Sequence, residues 1–441
     1  MAQRSSIGSA AVAVTLIVAM AGWVLTAPAV AEGETCQGEP ATLIGGPGTK
    51  LVGTGGDDVI LTAGATQVEA ADGNDRICVT GNTRFVHAGL GNDHVTTDDW
   101  VVRTWVYLED GDDTIIGGGR IDYVYAGPGN DHVATGPGDD SYDGYASPGA
   151  EENVDTVTLG PGDDTATVNN AQLTAPIDGG TGFNTLVIGA SSGDISGPWV
   201  VDNVMETATR NGVVWLSWDR FGGFVFPAWE VEGRVDFVGS DADERVTARQ
   251  EFEYGPDIGS WQLGGGDDEA TFDGLIGPAD GGLGSDWVRV VGWADERSLS
   301  LEARITIDLA QDEMRRGTGT SAISIPGMEN AEVSDFVVST LRGDDQDNEL
   351  VVGQACLARL LGRAGDDRLR ARGSPGCSSR TAEAFGIRRT VRAYGDLGDD
   401  ILIGRGTPDL LVGDRGSDFA NGRDGDDACS AEYKKACERR P

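Results

Sequence analysis

The chain has 441 residues, with 72 Asp and Glu against 33 Lys and Arg, and a formal net charge of −39. Such a surface repels phosphate backbones and anionic headgroups, which argues against nucleic-acid and membrane partners. A hydrophobic share of 39% with ten Trp argues against simple disorder, and the 67 glycines, about twice the usual share, call for a glycine-demanding repeat.

The N-terminus reads as a processing segment. Arg4 precedes an apolar run from 10 to 25, and Ala29-Val30-Ala31 follows as a small-x-small cleavage site. The run of 16 residues is short of the roughly 20 needed to span a bilayer. Cleavage after Ala31 is expected, leaving a chain secreted outside the cytoplasm with no membrane span.

From residue 53 onward a nine-residue clock appears, G-G-x-G-x-D-x-U-x, where U is a large apolar residue. Good copies are AGLGNDHVT (88–96), AGPGNDHVA (126–134), TGPGDDSYD (135–143), LGPGDDTAT (159–167), LGGGDDEAT (263–271) and GGLGSDWVR (281–289). Looser ones start at 53, 70, 108 and 362, and a tandem run, GDLGDDILI-GRGTPDLLV-GDRGSDFAN-GRDGDDACS, fills 395–430. Glycines at positions one, two and four suit backbone angles forbidden to other residues, and so a tight six-residue turn. The aspartate at position six supplies a charged oxygen. The x-U-x triplet is a short strand with one core side chain, which cannot bury its face until repeats stack.

This pattern resembles the haemolysin-type, or RTX, calcium-binding repeat family. The resemblance implies an all-β fold, a parallel β-roll or β-solenoid of stacked nonapeptides, with calcium held between loops. Calcium takes six to eight oxygens, which two stacked loops of carbonyls and carboxylates can provide. The expected metal residues are Asp58, Asp75, Asp93, Asp113, Asp131, Asp140, Asp164, Asp268, Asp286, Asp367, Asp400, Asp409, Asp418 and Asp427. Turn glycines Gly89, Gly91, Gly127, Gly129, Gly136, Gly138, Gly413 and Gly416 join them. Several Ca2+ ions are expected. Asp409 is the least secure, because Thr407 replaces the fourth glycine of its loop. Asn184 at position six of 179–187 suits a turn more than a metal site. Two nonapeptides make one coil of the family's fold. Copies starting at 53, 70, 88, 108 and 126 are 17 to 20 residues apart and so stack on one side. GGGRIDYVY (117–125), with Arg120 at position four, shows the opposite edge decaying. The run 395–430 keeps both edges.

The organisation expected is signal 1–31, an N-terminal roll 32–189, an aromatic-rich β segment 190–262, repeats with an irregular segment 263–342, a C-terminal roll 343–430 and a cap 431–441. The segment 190–262 reads as decayed coils without calcium or as an inserted β-domain whose Trp and Phe face a ligand. VEGRVDFV (231–238) and ARITIDL (303–309) alternate as half-buried strands do. At 18 residues per coil the chain would make about 22 coils at ~4.8 Å, a rod of roughly 100 Å.

Six cysteines in an exported chain favour disulfides, paired as neighbours: Cys36–Cys78, Cys356–Cys377 and Cys429–Cys437. Catalytic signatures are weak. His87, His94 and His132 belong to no His-Glu-x-x-His. A G-x-S-x-G match at 189–193 is followed by Gly and Pro and by no later histidine, and Gln354-Ala355-Cys356 lacks the glycine of a protease signature. The expectation is a secreted structural or interaction module and no enzyme. The alternative is a carboxylate-based polysaccharide lyase or glycosidase, or a carbohydrate-binding module, on the same scaffold, with an extracellular glycan or surface partner.

Overall fold

The computed structural model describes residues 34–99, 103–144, 154–169, 176–189, 198–227, 233–250, 257–292, 304–318, 321–373 and 388–438. The segment 1–31 expected to be a signal, Ser191, Trp229, Cys377 and the last residues 439–441 lie outside them.

The fold is an all-β parallel solenoid. One front sheet of eighteen strands runs from Lys50–Val52 to Tyr433–Lys435, each strand paired in parallel with the same strand of the next coil. It is open, since Lys50–Val52 pairs only with Gln67–Glu69 and Tyr433–Lys435 only with Phe419–Asn421. Opposite it stand a 14-stranded and an 8-stranded back sheet. Eighteen rungs at ~4.8 Å give roughly 80 Å of stack, shorter than the 22 coils expected from the sequence. Several coils are longer than 18 residues: successive ladder positions lie 24 apart at Asp140/Asp164, 33 at Asp367/Asp400 and 43 at Asp286/Glu329.

The x-U-x triplets behave as their spacing predicts. Ile60, Ile77, Val95, Ile115 and Val133 form one column of fully buried eighth-position side chains on the back sheet. Val68, Val86, Val106 and Val124 form the facing column on the front sheet. Each such burial is worth about 1.5–3 kcal/mol, which no isolated coil gains. Outward positions of the same front strands carry two stacked aromatic rows, Phe85–Trp105–Tyr123 and His87–Tyr107–Tyr125, with centroids 4.7–5.3 Å apart. These rings support one another across the strands.

The coils continue through the middle of the chain, and the front sheet crosses it unbroken, pairing Thr185–Gly189 with Gly223–Phe226 and then with Arg245–Arg249. What changes there is the back sheet. Trp199–Asp202, Thr207–Arg210 and Val213–Asp219 form an antiparallel meander set into it. The first of these strands pairs in parallel with the following coil, at Arg234–Val238, and the last with the preceding one, at Ile177–Asp178. The same device recurs with Arg304–Asp308, Glu313–Arg316 and Ile323–Ser324. Again the first strand pairs with the following coil, Phe336–Arg342. The two hairpin loops even end on matching left-handed residues, Glu206 and Asp312, both at φ 51°. DGGTGFNTLVI (178–188) and DGGLGSDWVRV (280–290) open the two units, and GSDADE (239–244) and GDDQDN (343–348) follow. The middle of the chain thus uses the same insert-bearing arrangement twice.

The described aromatic residues of 190–262 fill the core. Trp199, Trp218, Trp261, Phe221, Phe224, Phe226 and Phe237 are buried, and Trp215 is half-buried. The segment is therefore a run of coils with hairpins added, and the buried rings offer no face to a ligand.

Candidate metal-binding edges

Two edges join the sheets. At edge A the chain turns from front to back, and at edge B from back to front. On edge A the sixth-position carboxylates form a ladder in which the backbone N–H of each donates to the next coil's Oδ1. The pairs are Asp58→Asp75, Asp75→Asp93, Asp93→Asp113, Asp113→Asp131 and Asp131→Asp155, at 2.7–3.0 Å. The five loops that start 17 to 20 residues apart thus stack on one side, as their spacing requires.

Edge B starts its own ladder at Asp122, which donates to Asp140, and continues through Asp164 to Asn184. It resumes as Glu244→Asp268→Asp286→Glu329 and then as Asn348→Asp367→Asp400→Asp418→Glu432. Edge A returns only at the end, as Val391→Asp409→Asp427→Glu438. The carboxylate row therefore changes sides between Asp122 and Asp155, and both edges carry one again from Asp400 onward.

The second oxygen of these side chains is the informative one. Oδ2 of Asp75, Asp93, Asp113, Asp131, Asp140, Asp164, Asp268, Asp286, Asp367, Asp400, Asp418 and Asp427 is buried and takes part in no hydrogen bond, and Oε2 of Glu244 is in the same state. A buried carboxylate oxygen without a partner is costly, and each of these stands at an all-oxygen turn of the kind a hard cation prefers. Among the described residues no three His, Cys, Asp or Glu side chains converge as a site by themselves. The donors that fit a cation here are one or two carboxylates together with loop carbonyls.

Four sixth-position carboxylates differ. The outer oxygen of Asp58 is met by the Thr54 N–H and hydroxyl. That of Asp122 is met by Thr97 and Gly118, and that of Asp155 by the Tyr142 hydroxyl. Oδ2 of Asp409 accepts the Arg405 N–H at 2.7 Å and its Oδ1 the Thr407 hydroxyl at 2.8 Å. Asp58 and Asp409 were expected as metal residues, and in the structure both of them have protein hydrogen-bond partners on Oδ2.

Burial first, and then the charges one coil away, raise the free carboxyls. Asp93 is pushed to about 7, Asp113 to about 8, Asp131 to about 9 and Asp268 to about 8. A cation in the row reverses that pressure, because it favours the charged form.

The glycines divide by role. Those at positions two and four are left-handed: Gly89 and Gly91 at 115° and 122°, Gly127 and Gly129 at 95° and 148°, Gly136 and Gly138 at 86° and 157°, and Gly416 at 150°. Position four is also crowded, since a Cβ on Gly416 would lie 1.7 Å from the Gly398 carbonyl oxygen. Position one differs from its expected role. Gly413 has no left-handed angle, and glycine is required there because a Cβ would sit 2.1 Å from Asp418 Oδ2.

Several participants were not read from the sequence. Asp122 sits behind the non-consensus Arg120, and Glu244 behind Ala242 and with one extra methylene. Glu432 and Glu438 close the two C-terminal ladders from outside the repeat, beside the Cys429–Cys437 disulfide. A second ladder uses position five. Asn74 N–H donates to Asp57 Oδ1, Asn92 to Asn74, Asp112 to Asn92 and Asn130 to Asp112, and on edge B Asp399 donates to Asp366 and Ser417 to Asp399. The signal was present as the recurrent Asn or Asp before the sixth-position Asp.

Cys36–Cys78 pins the N-terminal hairpin to the first coils, with Cα atoms 5.5 Å apart. Cys356 is disulfide-bonded, and the expected partner Cys377 lies outside the described residues. No helix among the described residues is long and apolar enough to cross a membrane.

A family model for the RTX calcium-binding nonapeptide repeat matches the chain in four copies, at residues 107–142 and 394–429. A search of curated proteins returns no match.

Proposed function

The chain carries RTX calcium-binding nonapeptide repeats, and from that premise we propose that it is a secreted module whose solenoid edges close around several calcium ions. Its work in this reading is structural or adhesive and not catalytic. The observation that carries it is the set of twelve buried aspartate oxygens, each without a hydrogen-bond partner, arranged in rows along the two edges. Without cations these rows repel, and with them the metal-binding energy becomes folding energy. A site holding calcium at ten times its Kd adds about 1.4 kcal/mol, so several sites reach ordinary domain stability. Extracellular modules bind at about 10⁻⁴–10⁻³ M, which suits the millimolar calcium outside cells. The disulfides Cys36–Cys78 and Cys429–Cys437 support an oxidising compartment, in keeping with the leader expected at 1–31.

Circular dichroism and equilibrium calcium counting on the full chain test the reading. A gain of β-structure between EGTA and millimolar calcium, with several ions bound, is expected. An unchanged spectrum with no bound calcium would sink it.

A further inference from the structure

The lowest rung of the C-terminal row on edge A is built unlike the rungs above it. Its loop, 404–412, has Arg405 where the repeat has its second glycine and Thr407 where it has its fourth. The Arg405 side chain is 1% exposed and points its guanidinium inward, where Nη2 donates to the carbonyl oxygens of Ala355 at 2.6 Å and Cys356 at 3.2 Å. Its own N–H takes Asp409 Oδ2, and Thr407 takes Oδ1, which also holds the Val391 N–H at 2.8 Å. A buried carboxylate, backbone carbonyls and one positive charge are thus gathered at this rung, the carbonyls coming from the strand Ala355–Ala364 and not from the turn itself. That is the inventory of a metal rung, except that the charge arrives on a side chain.

The next loop on the same edge supplies the comparison. Arg423 occupies the same second position but is exposed, Gly425 keeps the fourth, and Asp427 above it retains an unpartnered oxygen. A partial parallel lies on edge B, where Asp367 keeps its unpartnered Oδ2 although its loop also has an arginine in second position. Arg363, at the second position of its edge B loop, donates to the Gly343 carbonyl at 2.6 Å and to Asp308 Oδ1 at 3.0 Å. The rung below it has the neutral Asn348 in the sixth position.

We propose that the Arg405 guanidinium takes the place of a calcium ion at this rung and closes the base of the C-terminal edge A row without metal. A guanidinium carries five donors and stays charged when buried, so it can satisfy carbonyls that a cation would otherwise neutralise. The Arg405 N–H completes the exchange by occupying Oδ2, the oxygen that a cation would need, while Thr407 joins Val391 on Oδ1. The row above then assembles on a turn that is already formed when calcium is absent. The inference rests on the calcium reading of the neighbouring rungs.

Two experiments on the full chain test it. Restoring the consensus with R405G/T407G is expected to raise the calcium count by one ion per chain, and to lower the melting temperature in EGTA with recovery in saturating calcium. An unchanged calcium count, with a melting deficit that calcium does not relieve, overturns the proposal. Amide hydrogen exchange of the parent protein in EGTA needs no variant to fold. The Val391 and Arg405 amides, held by Asp409, are expected to exchange at least tenfold more slowly than those of Asp400 and Asp409, held by Asp418 and Asp427. Equal rates overturn it. If the parent itself shows no calcium response, the calcium reading has failed; if the parent responds and the double variant gains no ion, only the role of Arg405 has.

Discussion

Asp418 holds Asp400, one coil below it, through a 3.0 Å bond from the Asp400 N–H to Oδ1, and keeps Oδ2 buried and unpartnered. One side chain thus does two jobs, stacking backbone with one oxygen and presenting the other to a cation. Asn184 shows them separated. Its Oδ1 accepts the Asp164 N–H at 3.0 Å, while Nδ2 donates to the Arg220 carbonyl at 3.0 Å, so the backbone bond survives and no charge is left over.

Asp418→Asn should therefore keep the ladder and lose the metal. The melting temperature in EGTA is expected to stay level or rise, since a like charge is removed from a crowded row. The calcium-induced gain should shrink by about 1.4 kcal/mol for each site lost at ten times Kd. Melting with and without calcium measures both. A variant that falls in EGTA as much as in calcium would show that the carboxylate serves the backbone alone.

Position one of the repeat can be tested by space rather than by charge. A Cβ on Gly395 would lie 1.9 Å from Asp400 Oδ2, whereas one on Gly406 meets nothing closer than 3.9 Å. Gly395→Ala should cost about 1–3 kcal/mol, in the range of overpacking. Gly406→Ala should be close to neutral in the same urea melts. Equal costs would mean that backbone entropy, and not the approach of the carboxylate, sets the glycine.

The nine-residue clock made the coil and its columns legible, because Gly, Asp and one apolar residue at fixed offsets specify a turn and a strand together. It also located every free carboxylate but that of Glu244 among the described residues, from Asp75 to Asp427. What escaped was whatever left the clock. Glu244 does the sixth-position job with a different side chain, and Glu432 and Glu438 arrive from beyond the last repeat. The hairpins at 199–219 and 304–324 were hidden because alternation identifies a strand but not the strand it pairs with. The fate of Asp409 was only half visible. Thr407 flagged a departure, but the inward turn of Arg405 depends on carbonyls about 50 residues away.

Acid should act on the calcium-free protein with an unusual sign. Burial, reinforced by neighbouring carboxylates, raises Asp93 to about 7, Asp113 to about 8 and Asp131 to about 9. The unfolded chain titrates these groups near 3.9, so between about pH 4 and pH 9 the folded state binds more protons. Stability in EGTA is thus complete at low pH and is lost as pH rises through the folded values. The melting temperature should be higher at about pH 5.5 than at about pH 8.5. Saturating calcium should invert the slope, because the ions require deprotonated ligands. Parallel pH profiles in the two conditions would contradict this account.

Phe224 separates packing from metal. It is fully buried, with its ring 5.5 Å from that of Trp218 and 5.1 Å from that of Phe237. Its coil is also the one where the edge B row is interrupted, with Gly222 in the register position between Asn184 and Glu244. Among the described residues the register position supplies no carboxylate to that rung, so its cohesion has to come from apolar burial, and large rings supply it where the added hairpin strands widen the back sheet. Phe224→Ala should cost about 3–5 kcal/mol, the usual loss for a buried aromatic. The loss should be the same in EGTA and in millimolar calcium, unlike that of Asp418→Asn, which appears only with calcium. Chemical denaturation of both variants under both conditions makes the comparison. Recovery of Phe224→Ala by calcium would mean that a cation stabilises this coil after all, and that the interruption of the row at Gly222 is no gap in the metal sites.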